Sequence, residues 1–322
     1  MTLTTAASGQ TMHWQDYEQP GYQATQRAMY AAAELALTNR LEQLNAQGQV
    51  SDATILSYLQ KLVSVCATQG KYQDALDYCK LAIRFSEREA NNLAGTAMLY
   101  VGMGNCSVKL KKLSEADLYY KKAEDLLARS PQCGANERAR LLSGQAEVAS
   151  AKGKFEVATK LFESAIQLEK STGSGASPAD LTRYANCLQL QGKISESRSV
   201  LEEALKLDTQ QLGADHPALA ANLNNLAVLD ARTEDFQAAE KEMSEALAIG
   251  RQWKYGDLPD WIDNMAFVLE KAAKHDDASK LRQESLAMRT KRIPKVFTSP
   301  TEEAAVPGIS DRTGTAGLLR AF

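Results

Sequence analysis

Residues 69–83 read QGKYQDALDYCKLAI, and the chain returns to much the same text at 152–166 (KGKFEVATKLFESAI) and at 233–247 (TEDFQAAEKEMSEAL). Each copy has a turn, then an aromatic residue, an alanine three positions later and a second alanine seven positions beyond that. Aligned on the first alanine, the three copies fall at Ala75, Ala158 and Ala239, and the same frame finds Ala33, Ala116, Ser197 and Ala278. The intervals are 42, 41, 42, 39, 42 and 39 residues. Seven units of about 41 residues therefore account for nearly the whole chain, and a fixed period of that size marks a solenoid.

Two further series share the frame. Seven residues after each alignment position stand Arg40, Ala82, Ala123, Ala165, Ala204, Ala246 and Ser285. Twelve residues before it stand Gly21, Val63, Gly104, Ala146, Ala185, Ala227 and Ala266. The spacing predicts two helices per unit. In the sixth, Leu219, Leu223, Leu226 and Leu229 recur at helical intervals, TED at 233–235 interrupts, and Phe236, Ala239, Met243 and Ala246 resume the period. Gly70, Gly153 and Gly192 fall at the interruption, where a left-handed residue ends a helix. Ser177-Pro178 and His216-Pro217 precede first helices, and proline suits a first helical turn because its missing N–H has no partner there.

These residues resemble the tetratricopeptide repeat: a small residue in the first helix, a Gly-x-aromatic-x-x-Ala turn and a later alanine. The 42-residue spacing, with LNNLA at 223–227 and LGADHP at 212–217, resembles the kinesin light chain type. The resemblance implies an all-α solenoid of about seven helix-turn-helix repeats wound as a right-handed superhelix, with repeats at 14–47, 52–88, 94–129, 137–171, 178–211, 217–251 and 259–290. Residues 1–13 and 291–322 are expected to be flexible, the latter because three prolines interrupt any helical period. The first and last repeats depart from the pattern at Arg40, His275 and Ser285, as terminal repeats facing water do.

Composition narrows the function. With 37 basic and 40 acidic side chains the formal charge is −3, which argues against a nucleic-acid partner. No apolar run reaches the length of a membrane span. The first fifteen residues lack a basic start followed by an apolar segment, so a cytoplasmic location is expected. Cys66, Cys79, Cys106, Cys133 and Cys187 show no Cys-x-x-Cys spacing and read as packing thiols. The three histidines (His13, His216, His275) lie in different units, so neither a metal site nor a cofactor is expected. The chain has no phosphate-binding lysine loop, dinucleotide fingerprint or hydrolase elbow, so no enzyme is expected.

If first helices line a concave surface, a partner binds there. The frame assigns to that surface Lys61, Asn105, Arg140, Arg183, Asn186, Asn224, Asn225 and Asn264. Asparagine offers both a carbonyl and two N–H groups, and so can pair with an extended backbone whatever its side chains. The resemblance implies that role for asparagines on first helices. Counting Lys61, Lys109, Arg140, Arg183 and Arg232 against Glu147 predicts a positive channel that favours a peptide with acidic and apolar residues, the last repeat reversing the sign with Asp260, Asp263 and Glu270. The expected function is an adaptor holding a protein or peptide partner. The alternative is a regulatory receptor whose solenoid changes curvature on binding a peptide or signal.

Overall fold

The computed structural model describes residues 3–4, 11–12, 22–47, 50–88, 92–130, 133–173, 175–214, 216–252 and 258–292. Thirteen helices follow one another: α1 Tyr22–Gln47, α2 Asp52–Thr68, α3 Tyr72–Ser86, α4 Leu93–Lys109, α5 Leu113–Ala128, α6 Ala135–Ala151, α7 Phe155–Ser171, α8 Pro178–Leu190, α9 Ile194–Leu212, α10 Pro217–Arg232, α11 Phe236–Gln252, α12 Leu258–Lys271 and α13 His275–Arg292. Ahead of them β1 (Leu3–Thr4) and β2 (Thr11–Met12) form a short antiparallel ladder. The rest of 1–13, and the tail from 293 onward, lie outside the described residues.

Helix starts follow the local chemistry. Ser51 caps α2 by accepting the Thr54 N–H on Oγ, and Ser177 caps α8 by accepting that of Asp180, with Pro178 in the first turn. His216 caps α10: its Nδ1 accepts the Ala218 N–H at 3.2 Å. Burial lowers the His216 pKa, which keeps that nitrogen an acceptor.

The turn between the two helices of each unit is built identically six times. Lys71, Lys112, Lys154, Lys193, Asp235 and Lys274 each donate their N–H to the carbonyl five residues back, at 2.8–3.0 Å. The residue just before each donor is left-handed: Gly70, Lys111, Gly153, Gly192, Glu234 and Ala273, with φ between 60° and 78°. This is the helix-ending motif in which one left-handed residue lets the chain satisfy the last carbonyls. Glycine reveals it in three turns; Lys111, Glu234 and Ala273 adopt it because the packing of both flanking helices dictates the turn.

The chain divides into two compact units, Met29–Lys193 and Ile194–Pro300. In the first, α2 packs on α3, α4 on α5 and α6 on α7. In the second, α10 packs on α11 and α12 on α13. The alignment alanines Ala75, Ala116, Ala158 and Ala239 are fully buried, as are Ala82, Ala123, Ala165, Ala204 and Ala246 and the first-helix residues Ala146, Ala185, Ala227 and Ala266. Small side chains at these crossings let the helices approach, and a larger one would overpack them. Bulky residues fill the remaining space: Leu59, Leu62, Leu76, Tyr78 and Leu81 in one unit, Met243, Trp261, Ile262 and Val268 in the other. Cys66, Cys79, Cys106 and Cys187 are buried free thiols, and burial pushes the Cys66 thiol up to about 12.

The first expected repeat is corrected. A turn was expected just before Tyr30, but α1 runs through it unbroken for 26 residues. The stretch RAMYAAAELAL, residues 27–37, holds no glycine or proline and consists almost wholly of good helix formers, so nothing locally ends the helix. The described residues therefore comprise one long helix and six helix-turn-helix units.

A second periodicity emerges only in three dimensions. In four repeats the residue immediately after the alignment position takes a side chain from the turn of the next hairpin. Glu34 accepts from Lys71 Nζ at 2.7 Å and Gln69 Nε2 at 2.8 Å. Asp117 pairs with Lys152, Thr159 accepts from Gln191, and Glu240 pairs with Lys274 at 2.7 Å. Each such surface pair contributes at most about 1 kcal/mol, so these staples fix the register between neighbouring hairpins more than they add stability.

Candidate functional site

Successive first helices lie side by side within each unit: α4 against α6 and α6 against α8 in one, α10 against α12 in the other. In the unit Met29–Lys193 this face carries a cavity of about 540 Å³ between α4, α6 and α8. Its walls include Met98, Val101, Gly102 and Gly144. Asn105, Arg140 and Arg183, three of the residues assigned from sequence, line it together.

The polar groups of the cavity form a connected set. Asp180 on α8 is 6% exposed. It accepts from Ser143 Oγ of α6 at 2.6 Å and from Arg183 one turn further along α8, also at 2.6 Å. Arg183 Nε lies 2.8 Å from Glu147 of α6, whose other oxygen is 4.0 Å from Lys109 of α4. Glu169, from the end of α7, accepts the Ser177 N–H at 2.8 Å. Burial raises the Glu169 pKa; that hydrogen bond and the nearby Arg140 pull it back.

Asn105 is held from behind. Tyr120 of α5 is 1% exposed, and its hydroxyl donates to Asn105 Oδ1 at 2.6 Å. The ring passes between Gly104 and Gly144: a Cβ on Gly104 would come within 2.4 Å of it, and one on Gly144 within 2.6 Å. Burial raises the Tyr120 pKa further, so the phenol stays protonated and donating.

In the unit Ile194–Pro300, Asn224, Asn225 and Asn264 meet in a chain of amides. Asn264 Nδ2 donates to Asn224 Oδ1 at 3.0 Å, and Asn224 Nδ2 donates to Asn225 Oδ1 at 3.4 Å. Phe267, one turn beyond Asn264 on α12, is 49% exposed, with Lys271 Nζ 5.6 Å from its ring centre. Lys61 and Asn186 join neither group. Lys61 is exposed on α2 over the Tyr58 ring, and Asn186 is half-buried on α8.

The expected positive channel is corrected. Arg183 is taken up by Glu147 and Asp180, Lys109 sits at Glu147, and Glu169 faces Arg140. Three carboxylates thus balance three cations around the cavity. The expected sign reversal in the last repeat is cancelled likewise: Arg289 reaches Asp260 and Asp263 at 2.5 and 2.7 Å, and Arg282 pairs with Glu270. Counting first-helix charges missed Glu169 and Arg289 because they reach the face from the second helices α7 and α13, and missed Asp180 because it lies on α8 outside the counted positions. Tyr120 was missed too, although it is the only hydroxyl-bearing residue four places after an alignment position. The other alignment positions are followed there by Leu37, Cys79, Phe162, Leu201, Met243 and Arg282.

Paired helices joined by identical turns, stacked with first helices on a common face, define a helical-hairpin repeat protein. Residues 176–252 match the family model of the tetratricopeptide repeat. The fold is similar to the crystal structure of BtubC (BKLC) from P. vanneervenii, with a TM-score of 0.61 and 16% identity over 78% of this chain and 98% of that one. It is also similar to the apo form of RapI, with a TM-score of 0.54 and 14% identity over 61% of this chain and 70% of that one. No curated protein matches the sequence. No helix among the described residues is long and apolar enough to cross a membrane.

Proposed function

We propose that the protein is a non-catalytic adaptor of the cytoplasm that holds an extended peptide segment of a partner protein on the first helices of one of its units. The supporting observation is the open cavity between α4, α6 and α8. Asn105 presents there an amide whose Nδ2 has no partner among the described residues. Asn225 and Asn264, held by the buried Asn224 between them, offer the same chemistry in the second unit, flanked by the exposed ring of Phe267. Amide donors and acceptors suit an extended main chain, and an aromatic face suits an apolar side chain. The charge balance around the cavity fits a segment recognised through its backbone and apolar groups rather than through a run of acidic residues. Arg140 and Arg183 belong to this surface as its charged rim, and Lys61 and Asn186 as its flanks.

An array of acetylated and amidated twelve-residue peptides of varied sequence tests this. Peptides that bind the intact chain should lose at least about tenfold in affinity when Asn105, Asn224 and Asn264 are all alanine, a loss of about 1.4 kcal/mol. Binding unaffected by that triple variant would move the partner surface elsewhere.

A further inference from the structure

On the proposed peptide-binding reading, we infer that Tyr120 is the residue that sets the polarity of the cavity: its hydroxyl holds Asn105 so that the site presents a donor and takes an acceptor oxygen, a main-chain carbonyl of the ligand. Tyr120 belongs to the second helix of its hairpin, yet its hydroxyl reaches the first-helix face. It does so because Gly104 and Gly144 leave a slot that alanine would close. With Oδ1 of Asn105 engaged at 2.6 Å, the amide has its Nδ2 left to offer to the cavity. An unrestrained asparagine could turn either end of its amide to a ligand; turning this one over would leave the buried Tyr120 hydroxyl accepting from Nδ2, with no acceptor among the described residues for its own proton.

The surroundings favour a neutral acceptor over a charged one. A ligand carboxylate would add a fourth anion beside Glu147, Glu169 and Asp180, whereas a main-chain carbonyl leaves the three-to-three balance intact. Arg140, exposed at the rim, makes no ion pair within 4 Å among the described residues and remains available to the same oxygen or its neighbour. The ligand chemistry is therefore an extended peptide whose carbonyl points toward α4, with no requirement for an acidic side chain at that place.

Three substitutions test the inference against the peptide that binds most tightly in the array. Tyr120→Phe keeps the ring in its slot and removes only the hydroxyl; it should lower affinity about five- to tenfold, the range for losing one well-placed hydrogen-bonding group. Asn105→Asp still accepts from Tyr120 but has no donor, and should lose as much as Asn105→Ala. The double variant Tyr120→Phe/Asn105→Ala should lose no more than Asn105→Ala alone, because the two residues act as one unit. Wild-type affinity in Tyr120→Phe, with Asn105→Ala still impaired, would reduce Tyr120 to a packing residue and overturn the inference while leaving the peptide reading intact. Retained binding in Asn105→Asp would overturn the assigned polarity, and selection of an aspartate or glutamate that Arg140→Ala abolishes would replace the carbonyl with a carboxylate. A wild-type chain that binds no peptide in the array overturns both the inference and the reading it rests on.

Discussion

Ala273 stands at φ 62°, a left-handed conformation that costs a residue with a Cβ about 1–2 kcal/mol, in a turn whose counterparts use Gly70, Gly153 and Gly192. Nothing lies within 4 Å of where a Cβ on Gly192 would stand, so replacing it tests the backbone term alone. Gly192→Ala should destabilise the chain by about 1–2 kcal/mol, and Ala273→Gly should stabilise it by about 1 kcal/mol. Urea unfolding of the two variants checks both signs; an Ala273→Gly variant less stable than wild type would contradict the turn geometry. Half of this motif was legible in sequence. Glycine marks the left-handed residue wherever it occurs, but Lys111 and Glu234 carry no such mark, and only the repeat frame points to them.

At the scale of helices, Tyr120 and Arg198 show how one side chain ties several elements together. Tyr120 of α5 lies between α4 and α6 with no room for a Cβ on either glycine, so Gly104→Ala should cost about 1–3 kcal/mol by overpacking. Arg198 of α9 pairs with Asp230 of α10, which is 1% exposed, and reaches Glu242 of α11 at 3.7 Å. Arg198→Ala would strand that buried carboxylate and should destabilise by about 3–5 kcal/mol, far beyond the loss from an exposed pair such as Lys280–Asp277. Thermal unfolding of Arg198→Ala beside Lys280→Ala separates the two cases. The small-residue series was legible because the repeats from α4 onward bury the same positions; Ala33, Arg40 and Val63 in the earlier ones are not buried. The polar cavity was not: Ser143 and Asp180 are 37 residues apart and meet only because α6 and α8 lie side by side. Asn105, Arg140 and Arg183 were found because they share a face with the repeat frame, whereas Tyr120 reaches that face from the opposite layer. Lys61 and Asn186 occupy frame positions like those of their counterparts but meet neither cluster.

For the molecule as a whole, three carboxylates have raised pKa values mainly through burial: Glu169, Asp208 and Glu242. A carboxyl that holds its proton more tightly when folded favours folding most at low pH, and that contribution is lost as the pH rises from the ordinary carboxylate range through the raised value. His216, held below its ordinary 6.5, acts in the opposite sense, adding stability as the pH rises toward that value. Glu242→Gln should therefore lose less stability than wild type between about pH 4 and pH 6. Equal slopes in denaturant titrations at the two pH values would contradict the burial assigned to Glu242. The shared features of the two units, paired helices with amide-bearing first helices on one face, lead to a single functional claim. The measurement that tests it most directly is photo-crosslinking of an array-selected peptide carrying a photoreactive residue at successive positions, with the attachment sites read by mass spectrometry. The account predicts crosslinks on α4, α6 and α8 around Asn105, or on α10 and α12 around Asn225 and Asn264. Crosslinks confined to α3, α5, α7 and α11 would contradict it.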